Sequence, residues 1–164
     1  MQTNEADHQA AREPEDDGAE RISGYQVRLD VSYDPATHTW LEEQSPGRVR
    51  VGLDPLEIEA SGTVAALSLV PAGSVVERCA SMGSLEAEKF VGPLLSPLSG
   101  TVVAVNDDLL AQPSELDRDP YSAWLVEIDC GDSAPIGLVS GAAQVREWFE
   151  GQVAEYRLKG VLAE

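Results

Sequence analysis

The sequence predicts a mainly β domain: a small barrel or sandwich, with short helices between strands and an amphipathic helix at the C-terminal end. Three observations support this. Ser61-Gly62-Thr63-Val64-Ala65-Ala66-Leu67 recurs as Ser99-Gly100-Thr101-Val102-Val103-Ala104-Val105, which suggests two similar half-sheets folded over one another by a pseudo-twofold. The other apolar runs are short, rich in Val and Leu, and broken at Gly and Pro, as strands of modest length require. Apolar residues at helical spacing over several turns occur from about Ser140 to Leu158.

A chain of 164 residues is one domain with trimmings, large enough for its own core. The formal charge of −18 argues against nucleic acid and anionic membrane as partners, since both would repel it. It suits a protein that visits basic patches on others, and it equally suits plain solubility. No apolar run reaches transmembrane length, and the N-terminus lacks the basic-then-apolar order of a signal peptide. Cys79 and Cys130 fit neither a CxxC nor a zinc pattern. They read as reduced thiols, which places the protein in the cytoplasm. A monomer is expected.

Residues 1–23 read as a disordered acidic tail, with Glu5, Asp7, Glu13, Glu15, Asp16, Asp17 and Glu20 and few apolar residues to offset chain entropy. His8 within it has no partner pattern. The folded β domain spans 24–130, and 131–164 form a linker and a C-terminal helix packing on it. Tyr25 to Val31 alternates apolar and polar, and Tyr33 to Leu41 leads through a turn into another strand. His38 is tied by spacing to no carboxylate or nucleophile, so it reads as a packed histidine. Arg48 to Leu53 is the next strand after the Ser45-Pro46-Gly47 turn.

Asp54-Pro55-Leu56-Glu57 has the form of a helix start: an aspartate cap, proline in the first turn, glutamate three residues after the cap. Ser61-Gly62 stops that helix. Pro71 to Ser74 is a turn, and Val75 to Cys79 reads as a strand leading into the central hairpin. Asn106 caps a further helix with Asp107 and Asp108 near its positive end, and Pro113 interrupts it before Leu116. Trp124 reads as core. On the last helix Val145, Trp148, Phe149, Val153 and Tyr156 share a face. An uncovered stripe of that size would be an exposed patch, so the helix is expected to dock on the barrel.

The central hairpin has an extended segment up to Leu85, an acidic tip, and a second extended segment from Phe90. Lys89 at its apex is one of two lysines in the chain, the other being Lys159; every other cation is arginine. A lysine there serves either as a solubilising turn residue or for its amine, which arginine, always charged, could not supply to an acylating enzyme. Elsewhere the sequence shows no nucleophile–histidine–acid pattern, no phosphate-cradling glycine loop and no clustered metal ligands.

Glu86-Ala87-Glu88-Lys89, with Ser96-Pro97-Leu98-Ser99-Gly100-Thr101-Val102-Val103-Ala104-Val105-Asn106 behind it, resembles the lipoyl-lysine hairpin of the glycine cleavage system H-protein family. There the lysine lies at the tip, and an S-P-x-S-G-x-V-x-x-V-N run follows it. The Met-Lys-Met tip of biotinyl domains is not matched by Glu88-Lys89-Phe90. Tyr33, His38 and Trp40 resemble the family's Tyr, His and Trp segment. Asp119-Pro120-Tyr121-Ser122-Ala123-Trp124-Leu125 resembles its D/E-P-Y-x-x-x-W-L segment, shortened by one residue. The likeness runs from about Tyr33 to Ile128.

The resemblance implies a flattened lipoyl/biotinyl-type barrel-sandwich hybrid carrying lipoate on Lys89, with Glu86 and Glu88 keeping the tip in solvent and offering charges to a lipoate ligase or transferase. Both glutamates also fit as ordinary turn carboxylates. It further implies a non-catalytic carrier whose swinging arm shuttles an aminomethyl group from a pyridoxal-phosphate glycine decarboxylase to an aminomethyltransferase, with a dihydrolipoyl dehydrogenase reoxidising it. Two alternatives stand beside this. One is an H-like lipoate-binding protein carrying sulfur intermediates for a heterodisulfide-reductase-like complex; the other is an unmodified barrel acting as a scaffold. Phe90, in place of the small residue of the usual E-S-x-K-A tip, and Leu67-Ser68-Leu69-Val70-Pro71, which lacks the acidic E-L-P loop, depart from the glycine-cleavage habit.

Overall fold

The computed structural model describes residues 18–133 and 135–162. In chain order the strands are β1 (Ala19–Ile22), β2 (Tyr25–Arg28), β3 (Ser32–Asp34), β4 (Thr39–Ser45), β5 (Arg48–Leu53), β6 (Val64–Leu69), β7 (Val75–Val76), β8 (Ser81–Ala87), β9 (Val91–Leu95), β10 (Gly100–Val105) and β11 (Val126–Asp129). Helix α1 (Pro55–Ser61) lies between β5 and β6. Helices α2 (Asp107–Ala111) and α3 (Glu115–Arg118) follow β10, and α4 (Ala142–Leu158) closes the fold. A six-stranded sheet of order β3-β4-β5-β11-β10-β7 faces a three-stranded sheet of order β6-β8-β9, and β1 and β2 form a separate hairpin. The expected flattened β architecture with short helices and a C-terminal helix is what forms.

The repeat seen in the sequence is structural. Its first copy becomes β6 of the small sheet and its second becomes β10 of the large one. Each strand shifts register at the matching place, between Val64 and Ala66 and between Val102 and Ala104. A bulge puts two residues opposite one and sharpens the local bend, so both copies curl in the same way. Met82, Leu85 and Leu94 from the small sheet and Val51, Val102 and Ile128 from the large one are buried in the core.

A second apolar cluster forms under α4, where Val145, Phe149 and Val153 are buried with Tyr33, Trp40 and Leu56. Spacings of four put these three residues on one helical face, and Trp148 and Tyr156 flank them as expected. Tyr33 is stacked at a tilt on Trp148, ring centres 5.3 Å apart. Its hydroxyl donates to the Arg28 carbonyl, and it shares a 2.7 Å hydrogen bond with the Tyr121 hydroxyl.

Three expectations are corrected. Order does not begin at Gly24: Ala19–Ile22, placed by the sequence in the tail, pairs antiparallel with β2. Ile22 and Val27 bury their side chains in the α4 cluster, and Arg146 of α4 donates to both carboxylate oxygens of Glu20 at 2.8 and 3.0 Å. The rest of the expected tail, Met1 to Asp17 with His8, lies outside the described residues. The strand expected over Val75 to Cys79 is only Val75–Val76, because Ala80 N–H donates to Glu77 O and turns the chain. That turn carries Arg78 to the buried Asp34 carboxylate at 2.6 Å. Trp124, read as core, is half-buried at the rim with the Arg50 guanidinium 4.3 Å over its ring; Trp40 is the fully buried indole.

Candidate functional site: the lysine hairpin and its cradle

Strands β8 and β9 pair from Ser81↔Leu95 to Glu86↔Val91. The hairpin closes where Ala87 N–H donates to Phe90 O at 2.8 Å. Glu88 and Lys89 form the bend, and both are exposed. Alternation along β8 buries Met82, Leu85 and Ala87 and leaves Ser84 and Glu86 outside, so the core face fixes the hairpin while its tip stays in water.

Lys89 thus stands where the sequence predicts, at the apex. Among the described residues no carboxylate lies within ion-pair distance of its ammonium, whereas Lys159 is bound to Glu155 at 2.9 Å. Glu86 faces outward from β8, opposite Val91 on one side and Ala66 on the other. Glu88 does not simply extend into solvent: its Oε1 lies 3.4 Å from the Thr63 amide, which donates to it.

The tip is held by a neighbour that sequence reasoning did not connect with it. Glu88 N–H donates to Thr63 O at 2.9 Å and Lys89 N–H to Ser61 O at 2.8 Å. Ser61 is the last residue of α1, whose final carbonyls have no partner within the helix, and the hairpin satisfies one of them. Gly62, at φ +80° and ψ −169°, makes the close approach possible. A Cβ there would stand 2.9 Å from the Glu88 Cβ. The signal available in the sequence was Ser61-Gly62-Thr63 itself, noticed only as a helix stop and as part of the repeat.

Helix α1 is set at its other end by Asp54, whose buried carboxylate accepts from Glu57 N–H at 2.8 Å. The reciprocal half of a capping box is absent: Asp54 N–H donates instead to the His38 carbonyl at 3.0 Å, and the Glu57 carboxylate turns toward His38, 4.0 Å from Nδ1. His38 therefore has a carboxylate neighbour that its spacing in the sequence did not reveal. Burial pushes the Asp54 carboxyl up to about 7, against the pull of the Glu57 amide and His38. Burial likewise raises Glu57, with His38 pulling it back.

An antiparallel two-sheet β domain that presents a lysine on an exposed hairpin, with its tip braced by a helix end, has the architecture of the lipoyl- and biotinyl-type barrel-sandwich domains. A profile of the glycine cleavage H-protein family matches residues 32–153. The chain is similar to the glycine cleavage system H protein of Mycobacterium avium (strain 104), 34% identical over 121 residues, 73% of this chain and 92% of that one. It is also similar to that of Myxococcus xanthus (strain DK1622), 40% identical over 108 residues, 65% of this chain and 83% of that one. The crystal structure of the Mycobacterium marinum H protein superposes with a TM-score of 0.66 at 30% identity, over 78% of this chain and 99% of that one.

The chain belongs to the glycine cleavage H-protein family. The family carries lipoate covalently on a lysine. The relatives support a lipoyl-carrier role in glycine cleavage and give no support to the sulfur-carrying or scaffold alternatives, despite the departures at Phe90 and in the Leu67–Pro71 segment. Among the described residues, no helix is long and apolar enough to cross a membrane.

Proposed function

We propose that Lys89 is the residue that carries the lipoyl group, and that the chain acts as the non-catalytic carrier of a glycine cleavage system. The observation that supports this most directly is the unpaired, exposed amine at the apex of a hairpin whose backbone is held on both sides. Bound there, lipoate supplies a dithiolane at the end of a long apolar arm. The protein's own part is to present and tether. The pairing of β8 with β6 and β9 lifts the amine clear of the sheet, and the α1 end fixes the direction from which an arm departs. Tethering raises the local concentration of the arm at each partner.

Glu86 and Glu88 belong to this reading as charges that a lipoate ligase or transferase meets, Glu88 also bracing the tip. The partners it implies are a pyridoxal-phosphate glycine decarboxylase, an aminomethyltransferase and a dihydrolipoyl dehydrogenase, with the carrier working as a cytoplasmic monomer. The two free cysteines fit a reducing compartment.

Incubation with lipoate ligase, ATP and lipoate, followed by intact mass, tests the attachment. One lipoyl mass should be added to the wild type and none to Lys89→Arg, because a guanidinium is a poor acyl acceptor. At an exposed tip that substitution should cost under ~0.5 kcal/mol of stability. A folded Lys89→Arg protein that still takes up lipoate would exclude Lys89 as the site.

A further inference from the structure

We propose that Phe90 is a positioning residue for the Lys89 amine, its ring folded back onto the core so that the tip is fixed from below while Ser61 and Thr63 fix it from the side. The proposal rests on Lys89 being the attachment residue. Residues at spacing two share a face of a strand. Here Leu94 is buried, Gly92 and Phe90 are half-buried, and Val91 and Pro93 between them are exposed. Phe90, the residue just before β9, continues that alternation, and it packs against the core cluster. A Cβ built on Gly92 would lie 2.9 Å from the Phe90 Cζ, so the ring fills the place that a side chain at position 92 would take.

The main chain is pinned at three successive positions. Glu88 N–H is bonded to Thr63 O, Lys89 N–H to Ser61 O, and Phe90 O to Ala87 N–H. Freedom at the apex is thereby left to the Lys89 side chain. A small residue after the lysine would keep these main-chain bonds but lose the ring packing that holds them from below, leaving the tip to fray and an acylating enzyme to order it as it docked. Ordering on docking weakens binding without changing the chemistry that follows.

The test is steady-state lipoylation by a lipoate ligase with ATP and lipoate, varying the carrier concentration, on the wild type, Phe90→Ala, Phe90→Leu and Gly92→Ala. Phe90→Ala should raise the KM for the carrier about tenfold with kcat unchanged, equal to ~1.4 kcal/mol, near the ordering cost of one backbone residue. Amide exchange at Glu88 and Lys89 should quicken in parallel. Phe90→Leu should restore most of the affinity. Gly92→Ala should reproduce the KM effect by displacing the ring while keeping every apolar atom of the core, and it carries the test if Phe90→Ala fails to fold.

A wild type modified at Lys89, with KM and tip exchange unmoved by both Phe90→Ala and Gly92→Ala, overturns the positioning role alone. A wild type that takes no lipoate overturns the Lys89 assignment, and the positioning role falls with it.

Discussion

The main-chain N–H of Lys89 donates to the carbonyl of Ser61 at 2.8 Å, joining the apex of a hairpin to the last residue of a helix. Twenty-eight positions separate the two in the chain, yet this bond settles which way the lysine leaves the surface. It also links the tip to everything that sets α1, from the Asp54 cap at its start to Gly62 at its end.

Gly62 is the residue on which that junction turns. Its backbone conformation is one that side-chain-bearing residues rarely adopt, and a methyl group there would press on Glu88. Gly62→Ala should cost about 2 kcal/mol in urea unfolding and slow lipoylation while leaving the Lys89 amine in place. A variant as stable as the wild type would show that the junction is looser than its geometry implies.

Asp54 should make stability depend on pH in the opposite sense to an ordinary paired carboxylate. Its folded-state value, about 7, lies above the 3.8 of a free aspartate because burial disfavours the charge. Between these values the folded state binds more protons than the unfolded, so stability is fully present below about 3.8 and falls as pH rises towards 7. Asn keeps the capping ability without titrating. Asp54→Asn should therefore flatten the melting midpoint across pH 4 to 7, with Glu57 leaving a residual slope of the same sign. An unchanged slope would remove Asp54 as its source.

The docking of α4 should depend on its buried ring and hardly at all on its surface ion pair. Phe149 is fully buried, with its ring edge-on to Tyr25 at 5.7 Å, so Phe149→Ala should cost roughly 3–5 kcal/mol in denaturant unfolding. Glu20 and Arg146 make a well-formed bidentate pair, but it stands in solvent, where screening and side-chain entropy cancel most of its attraction. Glu20→Ala should leave the unfolding midpoint scarcely moved. A large loss from Glu20→Ala would mean that the N-terminal hairpin, rather than the apolar face, holds the helix down.

By itself the sequence determined those features whose physical cause lies within a few residues. The period of two set the β character, the spacing of Val145, Phe149 and Val153 set the buried face of α4, and Asp54-Pro55 set the start of α1. The repeat around Gly62 and Gly100 foretold two similar strands, while their matching bulges emerged only in the structure, and the lysine hairpin was visible as an element from its acidic tip between apolar arms. Tertiary structure alone decided what depends on segments far apart in the chain. Ala19–Ile22 looked like tail because one isoleucine cannot offset the entropy of ordering an acidic segment; it becomes a strand because α4, arriving from the opposite end of the chain, covers Ile22 and Val27. The Glu57 carboxylate meets His38, and Ser61 meets Lys89, only after the sheets have closed. No local pattern encodes such meetings, since they are set by where the whole core places its elements.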